Sequence, residues 1–365
     1  MKKILIVCFN NIEFDARSHN MLTTYSSLNH SCSALHISNG QLLMPNIATY
    51  NHKDVFLSKP LKYLSFYKFV NKHLRLIQPD ICIASDLISL IMICLSFKRI
   101  QTIYDSREIY SHLAGLRHSP AKQKLLTFLE SICIKLCSKV LVTAESDKQY
   151  LSAHYKKNNI SIIKNFPLLS MAPKKTNILR LSHAIPESSS ILLYQGALQH
   201  GRGLFKYIQV LSKLNKCYLV IIGDGPIKNQ LIDCAISNKV KKRIIFLSWV
   251  PYNKLLELTA SADVGLSMIQ PLSLSYYNAL PNKLFEYALS GIPTIGSNIP
   301  EIKKILKDKR LGLAIDNQKA SLLRAIKATL ENKNFYDFDT IQSIAKKKFV
   351  WETQQQALTD CLNEK

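Results

Sequence analysis

The chain has 365 residues, 47% hydrophobic and 20% charged, a globular composition long enough for two ordinary domains and not that of a disordered chain. Its formal net charge of +23 is spread over both halves and favours anionic partners: nucleic acid, anionic lipid headgroups or phosphorylated small molecules. Nine cysteines stand singly, with no CxxC pair and mostly inside apolar runs such as LIVCF and DICIA, which points to buried reduced thiols and away from disulfides or a zinc site.

The opening MKKILIVCFNN reads as a first buried strand, because its apolar core stops at Asn10 and Asn11 with no small-residue cleavage site beyond. Strands are expected at Ile4–Phe9, Ala34–Ile37, Ile81–Ala84, Thr102–Tyr104, Val140–Thr143 and Ile160–Ile163. Helices are expected at Ala16–Leu28, Leu61–Leu76, Leu87–Phe97, Lys122–Cys137 and Ser146–His154. The apolar run Leu87–Phe97 is well short of the ~20 residues that span a bilayer, so the expectation is a cytoplasmic protein, soluble or peripheral. Basic and aromatic residues interleave at helical spacing over Lys59–Arg75. That suits either a helix on an anionic membrane surface or a solvated helix covering the core. No RNA- or DNA-reading motif accompanies it. Pro- and Lys-rich Asn165–Ile185 lacks a period and reads as the interdomain linker.

The alternation then repeats, with strands at Ile191–Gln195, Tyr218–Ile222, Ile244–Leu247, Val264–Ser267, Pro293–Ile295 and Gly312–Ile315. The fold class is therefore α/β, two Rossmann-like doubly wound domains with a cleft expected between their sheet edges. The boundaries are 1–170, 171–345 and a C-terminal helix, 346–365, packing back across the junction.

Several constellations follow strand ends. Gly196, Gly201 and Gly203 surround Arg202 where a strand meets a helix; glycine lets backbone approach a phosphate, and an arginine there can grip a diphosphate. The alternative is a plain turn with a solvated arginine. Gly223, Asp224 and Gly225 form a second tight turn, in which Asp224 could touch a base or ribose. Trp249 and Val250 follow a third strand, where Trp249 favours core packing over a stacking role. In Pro281–Glu301, Glu286 is one carboxylate on an apolar helix face, costly unless it meets a partner. Asn278, Asn282 and Lys283 cluster near it. In the first half, Asp86, Asp105, Arg107 and Glu108 follow strands, facing a ligand or forming a local salt bridge of Arg107 with Asp105 or Glu108.

Taken in order, YQGALQHGRGL, IIGDGP, SADVGLS and PNKLFEYALSGIPTIGSNIPE resemble segments of the retaining glycosyltransferases of family 4, with the GT-B fold. FDARSHNMLTTYSSL, ASDL and YDSREIYSHLAGL look like its bacterial surface-polysaccharide members. The resemblance covers nearly the whole chain. It implies transfer of a sugar from a nucleoside-diphosphate sugar to a glycan or lipid-linked acceptor, with retention and without a metal. It implies that Glu286 binds the donor ribose, that Arg202 and Lys283 stabilise the leaving diphosphate, and that Gly196, Gly201, Gly203, Gly223–Gly225, Trp249, Val250, Asn282 and Leu284 line the donor site. Asp86, Asp105, Arg107 and Glu108 would lie on the acceptor side. The chain departs from the family at Asn278, which replaces the first of two glutamates, at Ala197, where an arginine is frequent, and at Asn10 and Asn11, where a glycine-rich loop is usual. A sugar-nucleotide epimerase and a non-catalytic donor-binding subunit are the alternative readings.

Overall fold

The computed structural model of the protein describes residues 1–38, 44–53, 58–96, 100–116 and 118–363. It divides into two units. The first comprises Met1–Asn165 and Gln354–Lys365, the second Phe166–Thr353.

In the first unit the described elements run β1 (Lys3–Val7), α1 (Ala16–Ser27), β2 (Ser31–Ile37), β3 (Ala48–His52), α2 (Lys59–Ile77), β4 (Ile81–Ala84), α3 (Leu87–Cys94), β5 (Gln101–Ser106), α4 (Pro120–Leu136), β6 (Lys139–Val142), α5 (Glu145–Tyr155) and β7 (Ile160–Ile162). The strands form one parallel sheet, ordered β3-β2-β1-β4-β5-β6-β7. Continuous apolar strands such as KILIV and ICIA suit it, because a parallel sheet is covered on both faces. On one face α2, α3, α4 and α5 bury Val70, Leu90, Ile134 and Leu151 against Val7, Ala84, Tyr104 and Val142. On α2 the core takes Phe66, Val70 and Leu74, so one face of this helix covers the sheet.

The second unit runs α6 (Ile178–Ser182), β8 (Ser190–Gln195), α7 (Leu204–Leu211), β9 (Cys217–Ile222), α8 (Lys228–Ser237), β10 (Ile244–Leu247), α9 (Tyr252–Thr259), β11 (Val264–Ser267), α10 (Leu274–Tyr277), α11 (Lys283–Leu289), β12 (Thr294–Ser297), α12 (Pro300–Ile305), β13 (Gly312–Ile315), α13 (Lys319–Glu331) and α14 (Phe338–Lys348). Its parallel sheet is ordered β10-β9-β8-β11-β12-β13. Strand order reverses between β8 and β11, the place where such sheets open a crevice beyond their carboxyl ends.

Three expectations need correction. β3 was not anticipated, because ATYNH is short, half-exposed and lacks an apolar run. The expected linker is packed: the ring of Phe166 lies 4.6 Å from that of Phe285, Leu179 is buried, and Arg180 pairs with Asp263 at 2.9 Å. Its proline and lysine content reflects a surface path. The expected helix over Leu87–Phe97 ends at Cys94, and Phe97 lies outside the described residues.

The final helix, α15 (Gln355–Asn363), belongs with the first unit. Leu358, Cys361 and Leu362 are buried there, Tyr25 donates its hydroxyl to the Leu358 carbonyl at 3.5 Å, and Gln354 bonds both backbone groups of Lys164.

Candidate functional site

In the second unit, register aligns the carboxyl ends of three strands: Gln195 pairs with Ile222, and Ile222 with Leu247. The turns after them therefore lie side by side. Gly196 N donates to the Ile222 carbonyl and Gly223 N to that of Leu247, both at 2.9 Å, and Leu198 N reaches the Asp224 carbonyl at 2.9 Å. Only glycine fits at 223. Its φ is +140°, and a Cβ would stand 2.2 Å from the Gly196 oxygen. Gly203, at φ +77°, is the N-cap of α7, and a Cβ there would meet Met268 and the Tyr207 hydroxyl. Arg202 is thus held between two left-handed glycines, Gly201 and Gly203.

Glu286 lies on α11 and is 7% exposed. Gln195, the last residue of β8, donates its side-chain amide to a Glu286 carboxylate oxygen, while the Gln195 carbonyl accepts from the Thr259 hydroxyl at 2.8 Å. Burial pushes the Glu286 carboxyl above the usual range; the bonds from Gln195 and the Tyr252 hydroxyl and the charge of Lys283 pull the other way. Among the described residues this carboxylate has neutral hydrogen-bond donors and no ion pair, with the charge of Lys283 acting on it from nearby.

Two cations stand close by. The Lys283 ammonium sits 3.8 Å from the centre of the Tyr194 ring, directly beside Gly196. The Arg202 guanidinium lies 4.5 Å from the centre of the Tyr276 ring. Burial and the nearby Arg202 push the Lys283 ammonium well below the usual lysine range, against the pull of Glu286. Neither cation has a carboxylate within ion-pair distance among the described residues. A guanidinium and a buried lysine amine on aromatic faces, beside a row of strand-end turns, are chemically suited to a diphosphate, whose charge favours the protonated lysine. A carboxylate with lone pairs to share is suited to a diol.

The other anticipated residues divide. Asn278 is buried and ends α10; Asn282 is exposed and precedes α11, its carbonyl accepting from the amides of Phe285 and Glu286. Asp224 is half-buried and pairs with Lys228 at 3.0 Å, while Gly225 N bonds the Asp224 side chain. Val250 is half-buried. Trp249 is 61% exposed, which overturns the expectation of core packing: it follows β10, on the strand-end side of the sheet, where no apolar layer covers it. The Leu284 side chain is buried, and its amide bonds the Pro281 carbonyl at 3.1 Å.

The acceptor-side group in the first unit is mostly structural. Asp105 is fully buried and takes guanidinium bonds from Arg17 at 2.6 Å and Arg107 at 2.9 Å; Arg107 also pairs with Asp15 at 2.6 Å. Burial alone would raise the Asp105 carboxyl, but the two guanidiniums hold it below the usual range. Asp86 caps α3, accepting from the amides of Ser89 and Phe9. The carboxylates of Asp86 and Asp105 thus both accept bonds within the first unit. Arg107 is bound into the same network, and Glu108 is exposed.

Sequence reasoning singled out Glu286 but missed the residues that orient it. Gln195 ends β8, while Tyr252 and Thr259 are the two ends of α9. The available signal was Gln195 itself, a polar residue closing an apolar strand.

Fold and site define a parallel-sheet α/β protein with a candidate anion site at its strand ends. Residues 175–347, wholly within the second unit, match the family described as Glycosyl transferases group 1. Among curated relatives, the amylovoran biosynthesis glycosyltransferase AmsD of Erwinia amylovora is 24% identical over 217 residues, 59% of this chain and 57% of that protein. Other curated relatives are matched over about a third of their length. Two solved structures share the whole fold: sucrose-phosphate synthase from Thermosynechococcus elongatus, with a TM-score of 0.85, 13% identity and coverage of 99% of this chain and 98% of that one, and Anabaena HepE in complex with UDP and glucose, with a TM-score of 0.79, 13% identity and full coverage of both. The shared fold is that of the GT-B glycosyltransferases.

Proposed function

We propose that the protein is a glycosyltransferase that takes a sugar from a nucleoside-diphosphate sugar and transfers it, with retention of configuration, to a glycan or lipid-linked acceptor in surface-polysaccharide synthesis. The observation that carries this reading is the pair Arg202 and Lys283, set on aromatic rings with no ion-pair partner among the described residues, beside buried Glu286. Glu286 accepts hydrogen bonds from the donor ribose. The two cations and the strand-end turns meet the diphosphate. The group 1 match over this segment supports the donor class, as does the UDP and glucose held by HepE. The name of AmsD supports a polysaccharide product.

In the reaction the bond between the sugar anomeric carbon and the diphosphate oxygen breaks, and the oxygen keeps the electron pair. Arg202 and Lys283 stabilise the negative charge that develops there. The acceptor hydroxyl oxygen bonds the anomeric carbon on the same face, and its proton passes to the departing phosphate oxygen. No protein nucleophile and no metal are assigned.

The test is a mass-spectrometric screen of sugar nucleotides, followed by determination of the product's anomeric configuration. Glu286→Ala and Arg202→Ala each lower donor kcat/KM at least tenfold, about 1.4 kcal/mol or more. Wild-type kinetics in either variant overturn the site. Conversion of the sugar nucleotide without acceptor replaces transfer by epimerisation, and inversion of configuration removes retention.

A further inference from the structure

The helix α4 carries apolar residues on the wrong side. Its core contacts are Glu130, Cys133 and Ile134, all buried. Yet Leu125, Phe128, Ile132 and Leu136 are 47% to 62% exposed. At about 100° per residue these four fall within an arc of roughly 80°, centred almost opposite Glu130 and Ile134. The stripe therefore runs along the outer face for about 16 Å. Leu95, just beyond α3, extends it at one end, where the Cys94 thiol lies 3.9 Å from the Cys133 carbonyl. A solvated helix would place polar residues on this face.

The exposed charge of α2, α3 and α4 is of one sign. Lys122, Lys124 and Lys135 are exposed beside it. The neighbouring helices α2 and α3 contain no acidic residue, and the only one on α4, Glu130, is buried between the Tyr104 and Tyr155 hydroxyls at 2.8 and 2.7 Å. Lys68, Lys72 and Arg75 of α2 are exposed on the same covering layer. An apolar line flanked by lysines, with no exposed carboxylate on three adjacent helices, complements a surface that is apolar beneath and anionic at its face. A second copy of this chain would bring lysines against lysines.

We propose that the α4 face docks the protein on an anionic lipid bilayer, with Leu125, Phe128, Ile132 and Leu136 entering the headgroup–acyl boundary and the lysines lying against lipid phosphates. This shifts the membrane contact expected of Lys59–Arg75 to α4, with α2 adding charge. The proposal stands independently of sugar transfer.

The test is sedimentation of the full chain with vesicles of equimolar phosphatidylglycerol and phosphatidylcholine, and with phosphatidylcholine alone. The protein is expected to bind the anionic vesicles, more weakly as salt rises, and to bind the neutral ones at least tenfold less. The variant Leu125→Ser/Phe128→Ser/Ile132→Ser loses at least tenfold in vesicle binding with an unchanged thermal midpoint. Lys122→Gln/Lys124→Gln/Lys135→Gln, the second variant, loses binding and salt dependence together. Failure of the wild-type chain to bind anionic vesicles overturns the proposal, as does equal binding by both variants. A doubled mass in solution that the serine variant halves assigns the face to a second copy instead.

Discussion

Gln195→Met tests the site through a residue that need not touch the donor. Gln195 spans the gap between Glu286 and Thr259, donating to one and accepting from the other. Methionine matches its length but removes the amide. Thr259 keeps a bond to the Leu255 carbonyl at 2.7 Å, so its hydroxyl still has a partner. Glu286 loses a charge-assisted bond, worth about 1.5–3 kcal/mol. Its carboxyl, already raised by burial, moves further up, because the Gln195 bond is among the influences that lower it. If the ionised form is needed to accept from the ribose, donor KM rises about tenfold to a hundredfold at neutral pH. The acid limb of kcat/KM moves to higher pH. The assay is donor turnover as a function of pH, with thermal unfolding as a check that the buried site tolerates the exchange. A folded variant with wild-type KM and an unmoved acid limb would refute the reasoning.

Other predictions concern the framework. Asp105→Ala strands the buried Arg17 guanidinium, takes one of the two carboxylates from half-buried Arg107, and should destabilise the first unit by about 3–5 kcal/mol in urea unfolding. Because the folded Asp105 carboxyl lies below its unfolded value of about 3.9, its contribution is present above that pH and lost as pH falls further; the alanine variant lacks this part of the acid transition. Glu130 behaves oppositely. Burial raises its carboxyl, so its ionisation costs stability as pH rises from the unfolded value of about 4.3 through the folded one, and Glu130→Gln should flatten that part of the stability–pH curve. Gly223→Ala drives a Cβ into the Gly196 carbonyl oxygen and should weaken donor binding at least tenfold, measured by calorimetric titration with the nucleoside diphosphate.

Much of the fold was legible because parallel strands are continuous apolar runs. Ile81–Ala84, Ile244–Leu247, Val264–Ser267 and Gly312–Ile315 occur with the bounds expected. β3 was hidden because an edge strand with half-exposed residues has no such run. Glu286 was visible because a carboxylate on an apolar helix face stands out within seven residues. The Arg17–Asp105–Arg107 network was not, since Arg17 and Asp105 are 88 residues apart and only the sheet brings α1 beside the end of β5. The same distance effect hid the Gln195 bond to Glu286, with a separation of 91. Trp249 misled because aromatic residues are usually covered, and nothing local marks a strand end as open. The outer stripe of α4 was written in the sequence, but it is indistinguishable there from a core-facing face until the other side is seen to be buried.

The return of α15 to the first unit sets an order of events during synthesis. Residues 1–165 leave the ribosome first, yet Tyr25 gains its contact with α15 only once Leu358 has been made. The second unit is one uninterrupted stretch and needs nothing made after residue 353. The half encoded second can therefore be completed first, against the usual N-terminal-first course. The first half waits for a segment translated after the whole of its neighbour.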